Sequence, residues 1–167
     1  ADVINESGNP ADSNYDPGRE ANNMYAAAGT VVVGAEVDLE IQSFVPSTVT
    51  PDPGGTMTVT VTGFNRGPNL SQDAYIRLYA EGANITNAFS LDASSNPSCT
   101  TAPDYFSCDL DEFLNGGSET ATFVLNVTGA VGSIYEIYAF IDFADDAIEK
   151  AVNWTDNEST HVDIAIG

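Results

Sequence analysis

Two cysteines and a group of loop carboxylates are the residues in this chain whose types and spacing could do chemistry. Cys99 and Cys108 stand nine positions apart, with Pro103-Asp104 between them. Pro-Asp is turn chemistry, so the flanking segments can fold back as a hairpin and bring the two sulfurs together. There is no second cysteine pair, and His161 is the only histidine, so the spacing does not suit a metal finger. A disulfide is the favoured reading; the alternative is two buried free thiols. Asp142, Asp145, Asp146 and Glu149 fall within eight positions, and Asp156-Asn157 follow across the same inter-strand loop. Oxygen ligands gathered on a loop suit a hard cation, so Asp142, Asp145, Asp146 and Asp156 form a candidate calcium site, although not with EF-hand spacing. Asp12, Asp16 and Glu20 make a second, weaker cluster. The competing reading of both clusters is a solvated acidic surface.

Catalytic signatures are missing from the sequence. It contains no Gly-x-Ser-x-Gly elbow, phosphate-cradling glycine loop or His-Glu-x-x-His helix. His161 alternates with Val162 and Ile164 and is expected to face solvent from a strand. Paired carboxylates could in principle cleave glycosides, but a chain with 25 Asp+Glu produces such pairs by chance, and no enzyme is expected. Against those acids stand 4 Lys+Arg, a formal net charge of −21. That balance excludes a nucleic-acid binder, which needs a basic face, and argues against docking on an anionic membrane. No apolar run approaches the length of a membrane span, and Ala1 in the first position reads either as a processed end or as the boundary of a piece cut from a longer chain.

Asn-x-Ser/Thr sequons occur at Asn5, Asn69, Asn84, Asn126, Asn153 and Asn157, each a candidate glycosylation site. Together with a disulfide and a strongly acidic surface, they point to an extracellular or cell-surface protein. Lys150, the only lysine, is a remote candidate for a side-chain isopeptide bond.

The elements that must position these groups are strands. Val37-Asp38-Leu39-Glu40-Ile41 alternates apolar and acidic, the pattern of a half-buried strand, and Pro46 with the Pro51-Asp52-Pro53-Gly54-Gly55 cluster ends it. Residues 56–62 alternate, with Met57, Val59 and Val61 inward and threonines outward. Further strands are expected over 73–80, with Ile76 and Leu78 inward, and more weakly over 85–91. Beyond the cysteine hairpin come 120–127, with Ala121, Phe123, Leu125 and Val127 inward, then 134–143 and 160–166. No segment sustains a helical period. Seven or more short antiparallel strands with turn signals between them predict an all-β, immunoglobulin-like β-sandwich over residues 36–167.

Residues 1–35 differ. They are polar, rich in Asn, Asp, Gly and Ala, and end in Thr30-Val31-Val32-Val33, an apolar strand that the preceding polar residues cannot cover. An acidic, Asn-rich loop precedes this strand as one precedes residues 160–166, so the extension reads as the last strand of a preceding repeat.

The motifs carry a resemblance. Val37 to Ile41, Pro51 to Val61, Asn65-Arg66-Gly67-Pro68, the Cys99 and Cys108 pair, and Leu114-Asn115-Gly116-Gly117-Ser118 follow one another in a familiar order. The chain resembles the conserved immunoglobulin-like repeat domain of prokaryotic surface proteins. Its tail, from Asp145 to Asn157, is similar to the cell-adhesion-related domain of bacteria and archaea. The resemblance implies a sandwich and a surface role; it specifies fold well and function poorly.

Three functions compete. The first is a structural subunit of an extracellular filament, in which Thr30, Val31, Val32 and Val33 are donated as a strand to a neighbouring copy, giving a homopolymer. The second is an adhesin or glycan-binding module using Tyr75, Tyr79, Tyr135 and Tyr138 as a platform. The third is a spacer of a long surface stalk.

Overall fold

The computed structural model describes residues 36–96, 98–144, 148–149 and 155–167. The alternation read in the sequence becomes strands: β1 (Glu36–Val37), β2 (Leu39–Pro46), β3 (Thr56–Asn65), β4 (Ser71–Ala80), β5 (Phe89–Leu91), β6 (Cys99–Thr101), β7 (Tyr105–Phe113), β8 (Ser118–Val127), β9 (Ile134–Phe143), β10 (Ile148–Glu149) and β11 (Val162–Ala165). They form a four-stranded sheet, β2-β3-β8-β5, and a five-stranded sheet, β11-β9-β4-β7-β6, with antiparallel neighbours throughout. A short parallel pair, β1 with β10, stands beside them. The protein is all-β, an immunoglobulin-like sandwich.

Inward residues of both sheets meet in one core. Met57, Val59 and Val61 from β3 and Ala121, Phe123, Leu125 and Val127 from β8 face Ile76 and Leu78 from β4, Phe106 from β7 and Ile137, Ala139 and Ile141 from β9. Each large side chain buried this way contributes about 1.5–3 kcal/mol of transfer free energy. The threonines of β3 stand on the other face, where Thr62 and Thr120 meet across the strands at 3.1 Å.

The sandwich has two poles. At one, Asn65 is fully buried and knits three turns together. Its Nδ2 donates to the carbonyls of Asn69 (2.9 Å) and Phe113 (3.1 Å), while its Oδ1 accepts from the Gly67 N–H (2.9 Å). A Cβ on Gly67 would lie 2.6 Å from the Val37 Cα, so only glycine lets this turn approach β1. At the opposite pole Gly167 N–H donates to the Pro51 carbonyl (3.2 Å), Gly132 N–H to Ile166 (2.8 Å) and Gly54 N–H to Val127 (3.0 Å).

Two expectations need correction. Residues 85–91 are not one strand: Ile85–Asn87 form a 3-10 turn whose Ile85 plugs the core, and only Phe89–Leu91 pair with β8. The acids of Val37-Asp38-Leu39-Glu40-Ile41 do not face solvent, since Asp38 is 4% and Glu40 7% exposed. The segment before β11 folds against this stretch, with Ile41 N–H donating to the Asp156 carbonyl at 2.8 Å, and the register shifts between Ile41 and Ser43. A strand covered on its outer side loses the polar face that alternation alone assigns to it.

Candidate functional site

The cysteine hairpin forms as the turn chemistry requires. Cys99 and Cys108 face each other across β6 and β7, with Ala102 N–H donating to the Tyr105 carbonyl (2.9 Å) around Pro103-Asp104. The two sulfurs are bonded. Cys108 is fully buried, so the bridge ties the short edge strand β6 directly to the core.

On the outer face of the five-stranded sheet lies an aromatic row. His161 stacks on Tyr138 (centroids 4.4 Å, 6° between planes), Tyr138 on Tyr79 (5.4 Å, 15°), and Tyr79 leans against Tyr105 (5.4 Å, 50°). The Arg77 guanidinium lies 4.1 Å from the Tyr75 ring centre and 4.5 Å from that of Tyr105, a cation held between two π-faces. Tyr75 donates to Asp142 Oδ2 at 3.0 Å. Burial, helped by the Asp142 charge and this hydrogen bond, pushes the Tyr75 phenol up to about 12. Of the four tyrosines expected on a platform, Tyr75, Tyr79 and Tyr138 share this face. Tyr135 instead packs edge-on against Phe89, at 6.1 Å, beside the core. Tyr138 and Tyr79 stack on one another, so ring faces that could receive a sugar are spent on neighbouring side chains.

The expected calcium ligands separate. Asp142 is occupied by protein donors: Tyr75 holds Oδ2, and the Phe143 N–H donates to Oδ1 at 2.9 Å. Asp156 belongs to the Asn65 pole. Burial, with the charges of Asp38 and Glu40 adding to it, raises its carboxyl above the usual range, and its buried Oδ1 has no hydrogen-bond partner among the described residues. Glu40 is paired there with Arg66 at 2.6 Å. Asp38 and Glu40 are the site residues that sequence reasoning missed; Arg66, placed in the adjoining turn, is the signal that could have found them. Among the described residues no three His, Cys, Asp or Glu side chains are grouped to hold a metal ion. Asp145, Asp146 and Lys150 lie outside the described residues, as do Thr30, Val31, Val32 and Val33 with the rest of residues 1–35.

The sequons differ in access. Asn84 is exposed at the mouth of the 3-10 turn and makes no capping hydrogen bond. Asn69 is exposed and donates to the Glu36 carbonyl (3.1 Å), and Asn126 is half-buried on β8, 3.4 Å from Asp92 Oδ2. Asn157 is 1% exposed, and its Nδ2 donates to the Ile141 carbonyl at 3.1 Å, so the folded domain does not present that nitrogen to solvent. Asn5 and Asn153 lie outside the described residues.

No family model matches the chain, and no curated protein matches it. Solved structures do. A crystal structure of a CARDB domain from Pyrococcus furiosus, in complex with di-metal ions, is similar at TM-score 0.49 and 14% identity, covering 83% of this chain and 94% of that one. The solution structure of the same domain gives 0.48 and 15%, covering 78% and 93%. AvmM, which catalyses macrocyclization in alchivemycin A biosynthesis, gives 0.46 and 13%, covering 80% and 89%. The likeness is one of fold. Among the described residues no helix is long and apolar enough to cross a membrane.

Proposed function

We propose that the chain is a non-enzymatic structural subunit of an extracellular filament or surface assembly, joined to neighbouring copies by its N-terminal extension. The observation that carries this reading is that the described residues, all after position 35, form two sheets around a shared core. The edge of β9 is already taken by β11, so Thr30-Val31-Val32-Val33 has a counterpart in its own sandwich that is filled. Burying three valines fully is worth roughly 4–6 kcal/mol at about 1.5–2 kcal/mol each, which favours an acceptor on another subunit. Main-chain hydrogen bonds would give such a contact affinity, and because donor and acceptor patches differ, repetition gives a fibre. An acidic, disulfide-bonded domain with an exposed Asn84 sequon fits an extracellular setting, with glycan attached there first.

Negative-stain electron microscopy of the whole chain, and of the chain lacking residues 1–35, tests the reading. The whole chain should assemble, the shortened one should stay a folded monomer, and Val32→Glu should weaken assembly while leaving the sandwich intact. Filaments from the shortened chain would place assembly on the faces of the sandwich instead.

A further inference from the structure

We propose that His161 is a pH-sensitive latch that fastens β11 to β9 when protonated and loosens it when the proton leaves. His161 stands at the entrance to β11, opposite Tyr138. Its Nδ1 lies 3.3 Å from Glu136 Oε1 and its Nε2 3.1 Å from Glu158 Oε1. A neutral imidazole carries one N–H, so its bare nitrogen would meet a carboxylate lone pair; only the imidazolium can donate to both oxygens. This holds for either neutral tautomer, because both nitrogens face carboxylates. The Tyr138 ring beneath adds a π-face to the same cation.

The surroundings make the proton consequential. Glu136 and Tyr138 face His161 from β9, Glu158 from the segment before β11, and Glu81 acts from the turn after β4, whose N–H donates to the Glu136 carbonyl. Asp163, two positions along β11, sits directly across from Glu136, a like-charge pair that weakens the ladder. Among the described residues, one imidazolium is therefore the cation among four carboxylates at this edge. The hydrogen bond to Glu158, followed by the charges of Glu158, Glu136 and Glu81, raises the histidine above its ordinary value. A raised folded-state value means the stabilisation is fully present below the ordinary histidine range and is lost as pH rises through the folded value. The strand is four residues long, and the stretch before it is tied to β9 by Ser159 N–H to the Ala139 carbonyl and Ile141 N–H to the Asn157 carbonyl, both at 2.9 Å, so the latch acts on the rungs next to His161.

His161 is the only histidine, so its ring resonances can be followed by NMR in the intact chain without assignment ambiguity. Its titration midpoint should lie above the ordinary value and fall toward it in Glu136→Gln and in Glu158→Gln. Amide exchange of β11, corrected for intrinsic rates, should quicken a few-fold across that midpoint, the scale of an exposed ion pair. In His161→Gln the quick regime should hold at every pH. A midpoint at or below the ordinary value, a midpoint unmoved by both glutamine variants, or a β11 exchange profile in His161→Gln that matches the parent chain would each overturn the latch.

Discussion

Glu40 is 7% exposed and meets the Arg66 guanidinium, itself 57% exposed, at 2.6 Å. Removing the arginine leaves a buried carboxylate beside Asp38 and Asp156 with its cation gone, whereas removing both charges leaves no such debt of solvation. Arg66→Met should therefore lower stability by about 1–2 kcal/mol, less than for a fully buried pair because Arg66 is half in water. Arg66→Met with Glu40→Gln should regain most of it, measured by urea denaturation at neutral pH. This pair also marks where sequence reading stopped. An acid every second residue from Asp38 to Glu40 has the same pattern whether its outer face meets water or another segment. The covering segment at 155–157 is more than a hundred positions away, and periodicity carries no information about it. Met57, Val59, Val61 and Ile164 were legible because one side of each strand does meet the core, whatever covers the other.

At the scale of elements, the β6–β7 hairpin was readable from Pro103-Asp104 and the cysteine spacing, since turn chemistry and sulfur geometry are both local. The 3-10 turn at Ile85–Asn87 was not, because Ile85 and Phe89 supply the same apolar residues to a plug that they would supply to a strand. Paired loss of the bridge, as Cys99→Ser with Cys108→Ser, should lower stability by about 2–3 kcal/mol on the chain-entropy model for a short loop. Intact mass with and without reductant should differ by two protons in the parent chain. Because β6 is a three-residue edge strand, its amides should be the first to exchange in the bridge-free variant, ahead of β7.

Across the whole molecule the net charge of −21 makes the folded state self-repelling. Sodium chloride should raise the melting temperature by screening that repulsion. Calcium at matched ionic strength separates a bound ion from a screening one. A further rise that excess chelator reverses indicates a bound ion, and coincident curves leave only a solvated acidic surface. The two poles have another consequence. Residue 36 and Gly167 stand at opposite ends of the sandwich, with β2 departing from one end and β11 arriving at the other. A pull between them runs along these strands, so the rungs joining β2 to β3 and β11 to β9 are loaded sideways and together. The ties from Ala165 to Val49 and from Gly167 to Pro51 stop the last strand from unzipping one rung at a time. Under traction the domain would behave as a link that holds until it gives way all at once.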